Sequence, residues 1–205
     1  VAVHPGAKAL EIAQDRLTEK SFVTGLGGRT APYAAVPNRA ALDEAIARIG
    51  TPAILKTNRM GYDGKGQVRV KTLEELTKAW DDLGNVACVL EKMLPLAHEC
   101  SVIVARGRDG DIVNLPVQRN LHRDGILAVT EVYEGNLPAA QVAQALTAAK
   151  SVAEGLNYVG VLCVEFFVLA DGSLVVNEIA PRPHNSGHYS QNGCDVSQFE
   201  LQVRC

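Results

Sequence analysis

The apolar positions in the first half of the chain alternate between helical spacing and short continuous runs. Helical spacing predicts helices over Ala7 to Gly28, from an N-cap at Asn38 to Ile49, and over Leu73 to Leu83. Short apolar runs predict strands at Tyr33 to Val36, Pro52 to Thr57, Gln67 to Val70 and Val86 to Glu91. This half of the chain therefore alternates helices with strands.

Beyond residue 95 the pattern changes to consecutive strands. They run from Leu96 to Val132 with turns at Asp109-Gly110 and Asp124-Gly125, and a helix over Pro138 to Leu156 follows them. Helices between strands in one half and a strand meander in the other predict an α+β fold of two lobes. Met93-Leu94-Pro95 is the predicted hinge between the lobes.

Two further apolar runs, Val159 to Ala170 and Ser173 to Ala180, are joined by Asp171-Gly172, which is a strong signal for a β-hairpin. A symmetric turn places Glu165 directly opposite Glu178. Side chains opposite each other on antiparallel strands lie about 5 Å apart, and two carboxylates there repel unless a cation lies between them. Mg²⁺ takes such oxygen ligands and often holds substrate phosphates, so the pair predicts a Mg-nucleotide site. A solvated hairpin face with two unrelated acids is the alternative, and a bulge in the turn would break the register.

Composition narrows the function classes. The chain has 205 residues, of which 47% are hydrophobic and 21% charged, and this is typical of a globular chain with a real core. A net charge of -3 argues against nonspecific binding to nucleic acid. Without a membrane-length apolar run or a signal peptide, we expect a cytoplasmic protein with no membrane partner. The five cysteines contain no Cys-x-x-Cys pair, so neither a disulfide framework nor a zinc cluster is predicted.

A glycine-rich segment, Gly61-Tyr62-Asp63-Gly64-Lys65-Gly66-Gln67, separates two predicted strands. It lacks the Ser or Thr of a Walker A loop and the helix-opening glycine of a dinucleotide fingerprint. A flexible loop remains, in which backbone N–H groups approach an anion and Lys65 adds charge, with a plain hairpin connection as the alternative. Lys56 ends the apolar strand before this loop and predicts a point charge for phosphate oxygens, although a surface lysine is the alternative.

In combination these segments resemble the ATP-grasp enzymes, and specifically the 5-(carboxyamino)imidazole ribonucleotide synthase family of purine biosynthesis. The run from Asn177 to His188 is the most specific, because ATP-grasp proteins usually carry Asn two residues after the metal glutamate, where this chain has Ala180. The other segments that carry the resemblance are Gln14 to Lys20, Leu55-Lys56-Thr57, Gly61 to Gln67 and Ser197-Gln198-Phe199-Glu200.

The resemblance implies that the nucleotide lies between the two lobes. Lys56 and the loop backbone would hold ATP phosphates, and Glu99 would bind the ribose with His122 near the nucleotide, although His122 could instead be an exposed strand histidine. The adenine hinge would consist of Glu91, Lys92, Met93 and Leu94. Glu165 and Glu178, with Asn177 beside them, would hold Mg²⁺, with Mn²⁺ as an alternative. The bicarbonate and acceptor pocket would be lined by Tyr62, Arg182, His184 and Asn185.

The implied reaction is phosphorylation of bicarbonate by ATP to carboxyphosphate, followed by carboxylation of the amine of aminoimidazole ribonucleotide. The resemblance also implies a homodimer of the full-length protein. Residues 1–37 would be linker helices from a preceding domain, 38–93 a small lid lobe, and 94–205 a large lobe with the metal and acceptor site. The chain begins without Met, and its last residues, Val203-Arg204-Cys205, form neither a helix cap nor a tail. We therefore expect a fragment of a longer protein.

Other functions remain open at this point. A formate-dependent ATP-grasp transformylase acting on glycinamide ribonucleotide would share the glutamates and the loop, but not the run from Arg182 to His188. A non-catalytic nucleotide-binding module would be expected to have lost an acid or Arg182, and both are present. A purely structural domain would leave the facing acids unexplained.

Overall fold

The computed structural model describes residues 3–61, 65–123 and 125–205 of the chain. Its α-helices are α1 (Ala7–Ala13), α2 (Arg16–Gly25), α3 (Leu42–Ile49), α4 (Leu73–Asp82), α5 (Ala139–Gly155), α6 (Ser190–Gly193) and α7 (Gln198–Arg204). Its β-strands are β1 (Tyr33–Val36), β2 (Ala53–Thr57), β3 (Gln67–Val70), β4 (Cys88–Lys92), β5 (Leu96–Arg106), β6 (Ile112–Asn114), β7 (Gln118–Arg123), β8 (Ile126–Glu131), β9 (Gly160–Leu169) and β10 (Leu174–Ala180). Across the described ranges, no helix is long and apolar enough to cross a membrane.

The smaller of two sheets contains β1, β4, β2 and β3 in that order, with antiparallel pairing throughout. Helices α3 and α4 bury their apolar faces against it, and Leu55 and Leu90 of the sheet share one core with Leu76 and Trp80 of α4. Strand β1 belongs to this sheet although it precedes the predicted lobe boundary at residue 38. The domain boundaries themselves remain predictions.

The larger sheet has the order β10, β9, β5, β7 and β8, with β6 paired to the far end of β5. Helix α5 covers one face of it, with Ala149 and Val152 packed in the same core as Val102 and Leu162 of the sheet. Residues 93–95 connect β4 of the small sheet to β5 of the large sheet, which is where the sequence predicted the hinge. The predicted α+β architecture of two lobes is confirmed.

The predicted single helix from Ala7 to Gly28 is wrong, because two helices, α1 and α2, replace it and are separated at Gln14-Asp15. Asp15 is extended, and its side chain caps α2 by accepting the backbone N–H of Thr18 at 3.1 Å. An aspartate that caps the backbone in this way competes with continuation of the preceding helix. The break lets α2 take its own direction, and this direction determines where its charged side chains lie.

The predicted hairpin forms, but its turn is not symmetric. Close to the turn, Leu174 pairs with Val168, which is one residue away from the symmetric register. A bulge between Val176 and Glu178 then shifts the pairing by one residue, so that Glu178 does lie opposite Glu165. The predicted pair is therefore confirmed, although neither the asymmetry of the turn nor the bulge that offsets it was predicted.

Candidate active site

The facing acids lie on the central hairpin of the large sheet. Glu165 is buried on β9, and Glu178 is half-buried opposite it on β10. Burial raises the pKa of Glu178, and the neighbouring Glu165 carboxylate raises it further. Burial pushes the pKa of Glu165 upward, but the hydrogen bond from His184, the electrostatic influence of His184 and His122, and a hydrogen bond from Asn177 together bring that pKa below its ordinary value. The two acids therefore differ in how readily they ionise.

This pair fits a hard divalent cation by the chemistry of its donors. Arg16 Nη1 lies 3.8 Å from Glu178 Oε2, which is a long distance for an ion pair. The repulsion between the two carboxylates is therefore largely unrelieved. The amide of Asn177 donates to Glu165 Oε2 at 3.4 Å and adds a further polar group at the same place. Within the part of the chain that the structure describes, His, Cys, Asp and Glu side chains form no metal-binding group of three or more.

A buried hydrogen-bond chain fixes His184 beside these acids. His184 Nε2 lies 2.9 Å from Glu165 Oε1, and its Nδ1 lies 2.9 Å from the hydroxyl of Ser186. Ser101 donates to the Ser186 hydroxyl at 2.8 Å and receives a bond from the amide of Asn120, also at 2.8 Å. The backbone N–H of Ser186 also donates to Nδ1, at 3.3 Å, so Nδ1 accepts and Nε2 carries the proton given to Glu165.

The backbone of His184 is held as firmly as its ring. Gln198 at the start of α7 is fully buried, and its side-chain amide accepts the N–H of His184 at 2.8 Å and donates to the His184 carbonyl at 2.8 Å. The Ser190 hydroxyl in turn accepts the backbone N–H of Gln198 at 3.0 Å. The segment Ser197 to Glu200, noted in the sequence without a role, thus anchors the loop that follows β10.

Arg182 and Asn185 lie in this loop with exposed side chains. Arg182 donates to the Pro183 carbonyl at 3.0 Å and borders a cavity of about 350 Å³. Residues from both lobes line this cavity: Ala13, Gln14, Arg16, Glu19, Asn58, Arg59, Met60, Gly61, Glu178, Ile179, Ala180, Pro181 and Arg182. The structure therefore brings Arg182 and Glu178 to one space, whereas Asn185 borders no part of that cavity.

Lys56 is buried beside the hinge and is not a surface lysine. Its Nζ lies 3.0 Å from Glu91 Oε2, and Lys20 of α2 lies 3.1 Å from Glu91 Oε1. Desolvation lowers the pKa of Lys56, although Glu91 opposes this effect. The hinge residues continue from this cluster, with Lys92, Met93 and Leu94 partly buried and the Met93 N–H bonded to the Pro52 carbonyl at 3.1 Å.

Both ends of the glycine loop lie against Thr57 at the end of β2. Tyr62, Asp63 and Gly64 lie outside the described residues, as does Asp124 of the predicted turn at Asp124-Gly125. A Cβ on Gly61 would lie 3.1 Å from Arg16, and one on Gly66, at φ +73°, would lie 2.7 Å from the Thr57 hydroxyl. Position 66 therefore requires glycine, whereas a side chain at Gly61 would have to displace the end of the Arg16 side chain. Lys65 is exposed beside Gly66, and Gln67 begins β3 by pairing with Lys56.

Glu99 and His122 meet across neighbouring strands of the large sheet, as a pair. His122 Nδ1 lies 2.9 Å from Glu99 Oε2. This hydrogen bond raises the pKa of His122 above its ordinary value, and the charges of Glu99, Glu165 and Glu178 act in the same direction. The alternative of an exposed strand histidine is wrong, because the His122 side chain is only 17% exposed.

Helix α2 contributes charged residues to the site, and sequence reasoning gave these residues no role. Arg16 reaches Glu178 and also donates to the Thr57 carbonyl at 3.2 Å, while Glu19 and Lys20 are buried. These charged residues recur at helical spacing, so the signal was a charged helix face turned inward. Burial on these two helices does not follow hydrophobicity, because Leu10 of α1 is 51% exposed while Glu19 of α2 is 3% exposed.

Glu19 should make the stability of the metal-free protein depend on pH. Its Oε1 accepts the backbone N–H of Ile179 at 2.6 Å, and burial raises its pKa from 4.5 to about 8. The protonated form therefore stabilises the fold fully below pH 4.5, and this contribution is lost as pH rises through about 8. Glu19→Gln keeps the acceptor, so its stability relative to wild type should increase by about 1 kcal/mol per pH unit in this window.

Urea unfolding of the metal-free protein at several pH values between 5 and 9 measures this effect. Glu11→Gln on the exposed face of α1 removes the same charge and should leave the pH dependence as in wild type. Parallel pH profiles for wild type and Glu19→Gln would contradict the assignment of a raised pKa to Glu19.

Comparison with known proteins agrees with this geometry. A profile of the ATP-grasp domain matches residues 21–199. The N5-carboxyaminoimidazole ribonucleotide synthase of Brucella melitensis is 45% identical over 208 residues, which cover 98% of this chain and 56% of that protein. Two crystal structures are also similar. The Staphylococcus aureus N5-carboxyaminoimidazole synthetase with ADP has a TM-score of 0.91 at 38% identity, over 97% of this chain and 52% of that one.

The second is the Aspergillus clavatus N5-carboxyaminoimidazole synthase with ADP and 5-aminoimidazole ribonucleotide, with a TM-score of 0.90 at 27% identity, over 100% of this chain and 53% of that one. The chain thus spans about half the length of the relatives it matches. The predicted fold and the predicted resemblance are both confirmed.

Proposed function

The chain belongs to the ATP-grasp family, and on that premise we propose that it is the nucleotide-binding part of an enzyme that uses ATP and bicarbonate to carboxylate the amine of 5-aminoimidazole ribonucleotide. The observation that carries the proposal is the meeting of Glu178, Arg16 and Arg182 at one cavity between the lobes. This space has cations for phosphate and carboxylate groups, and Glu178, which lines it, is one of the two facing acids that would hold a metal ion. The named relatives that bind ADP and aminoimidazole ribonucleotide support this choice.

Lys56, Arg16 and the backbone at Gly61 and Gly66 would bind the ATP phosphates. Lys56 acts as a point charge, whereas the glycines let N–H groups approach phosphate oxygens closely. Glu91 to Leu94 would receive the adenine and Glu99 the ribose. Glu165 and Glu178 would hold Mg²⁺, or Mn²⁺, and the bound ion would neutralise charge on the transferred phosphoryl group. These roles explain why buried charges converge on the hinge.

Bicarbonate would attack the terminal phosphoryl group of ATP, giving carboxyphosphate and ADP. The amine of aminoimidazole ribonucleotide then takes the carboxyl group, directly or through CO₂, and phosphate leaves. Arg182 would hold the planar bicarbonate by two parallel hydrogen bonds. His184, whose Nε2–H donates to Glu165, would hold that carboxylate in place beside the acceptor pocket. Asn185 and Tyr62 would also line this pocket. The lobe containing β2 and β3 would close over carboxyphosphate and exclude water.

The whole protein's other properties belong to the same proposal. A cytoplasmic location suits the substrates, and a homodimer with further domains would complete the acceptor site. Residues 38–93 would act as the lid and 94–205 as the lobe with the metal and acceptor sites. Residues 1–37 would lead from a preceding domain.

The test is ADP formation by the full-length protein with Mg-ATP, aminoimidazole ribonucleotide and bicarbonate. We expect turnover that requires all three. The same protein is assayed with formate and glycinamide ribonucleotide, since the transformylase is the nearest enzymatic alternative. Activity with formate alone would overturn the proposal in favour of the transformylase. If neither assay gives ADP but the protein still binds ATP, a non-catalytic nucleotide-binding module would be favoured.

A further inference from the structure

A buried cluster of three charges joins α2 to the small sheet. Glu91 on β4 lies between Lys56 on β2 and Lys20 on α2, and each of its carboxylate oxygens contacts a different lysine. All three residues are at most 5% exposed. Lys20 Nζ also lies 5.8 Å from the centre of the Tyr33 ring, a weak cation–π contact. Lys20 thus contacts the carboxylate oxygen that Lys56 does not contact.

The position of Lys20 is fixed by the start of its helix. Asn58, directly after β2, accepts the backbone N–H of Leu17 through its side chain at 3.1 Å and that of Arg16 through its carbonyl at 3.0 Å. Its amide donates to Asp15 at 2.8 Å. Helix α2 is therefore fastened to the end of the strand that carries Lys56, and this sets the position of the Lys20 backbone relative to Glu91.

The charges in this cluster do not balance. Two lysines share one carboxylate, so this buried cluster contains one more basic group than it has acids. Buried charges are ordinarily paired, and an unpaired one is costly unless a ligand completes it. If Lys20 were absent, Glu91 would pair with Lys56 alone and the cluster would be neutral. The surplus charge therefore depends on Lys20.

We propose that Lys20 is a positioning residue that sets the affinity for a nucleoside polyphosphate without touching it. By taking one oxygen of Glu91, it leaves Lys56 with charge for a phosphate group. The proposal rests on the proposed nucleotide site and adds to it a residue beyond the loop and the hinge. It also predicts that the effect of Lys20 depends on the phosphates of the ligand and not on its adenine.

The experiment is calorimetric titration of the full-length protein with ADP and, separately, with adenosine. Lys20→Met should weaken ADP binding by about thirtyfold, the order expected for one charge at about 8 Å in a partly screened interior. Lys20→Gln keeps a donor for Glu91 without charge and should show the same loss, which covers the case in which the Met variant misfolds. Lys20→Arg keeps the charge and should bind ADP within about threefold of wild type. Adenosine binding should change little in every variant.

Lys8→Met, on the exposed face of α1, removes the same charge far from the cluster and serves as the matched control. Equal ADP affinity in wild type, Lys20→Met and Lys20→Gln would overturn the inference and leave the proposed function intact. Equal losses for ADP and adenosine would also overturn it, because Lys20 would then only shape the hinge. Failure of the wild-type protein to bind ADP would contradict the proposed function itself.

Discussion

Glu178→Gln is expected to reduce Mg-dependent turnover by about a thousandfold and, at the same time, to stabilise the metal-free protein. Loss of turnover follows because a metal ion supplies several kcal/mol of charge stabilisation in phosphoryl transfer, and each 1.36 kcal/mol changes the rate tenfold. Stabilisation follows because the substitution removes one of two like charges that face each other across β9 and β10. The two effects have opposite signs, which a general loss of structure cannot produce.

The gain in stability should depend on pH in a defined direction. The pKa of Glu178 is raised in the folded protein by burial and by Glu165. Its protonated form therefore stabilises the fold below the ordinary carboxyl pKa, and this contribution is lost as pH rises through the raised value. Glu178→Gln, which cannot ionise, should match wild type in acid and exceed it near neutral pH.

Steady-state ADP formation and thermal unfolding in the presence of a chelator measure the two effects. Glu131→Gln on β8 is the matched control, because it removes the same charge from an exposed strand position. That variant should keep both turnover and melting temperature. A Glu178→Gln protein with normal turnover would contradict the metal role, and one that melts lower than wild type without metal would contradict the repulsion.

The fold was largely predictable, because its signals are local. Turn residues, caps and apolar periodicity predicted the two lobes and most of their strands, and the pairing of Glu165 with Glu178 was predicted correctly. That success depended on two departures that offset each other. Gly172, at φ +82°, makes an asymmetric turn, and the bulge near Asn177 moves the register back by one residue. The position of a bulge depends on the surrounding sheet, and no pattern in the hairpin sequence predicted this one.

The candidate site was predictable in part. Residues of the glycine loop and the glutamate hairpin could be identified, since each carries a motif or a turn signal. Glu19 and Lys20 could not be assigned roles, because buried charges are rare and helical periodicity favours apolar residues for the inner face. Their partners, Ile179 and Glu91, are distant in sequence. The contact of His184 with Glu165 also escaped prediction, since only the tertiary fold brings that loop onto β9.

Arg182→Ala is expected to reduce turnover by about a hundredfold while leaving ADP affinity within about twofold of wild type. The side chain lies exposed at the edge of the cavity, beyond the end of β10, and the structure gives it one local bond, to the Pro183 carbonyl. Its removal should therefore cost little stability. The loss falls on the step that uses bicarbonate, because charge-assisted, bidentate donors are worth most where negative charge is held or develops.

Arg182→Lys separates the two properties of the guanidinium group. Lysine keeps the positive charge but not the planar pair of donors, so it should recover part of the turnover and raise the KM for bicarbonate. Arg204→Ala on α7 removes an exposed arginine paired with Glu200 and should change neither quantity. Kinetics at varied bicarbonate, with ADP titration of the same preparations, distinguish the roles. If Arg182→Ala keeps near-normal turnover, bicarbonate is held elsewhere; if its ADP affinity falls as far as its turnover, Arg182 belongs to the phosphate site with Arg16.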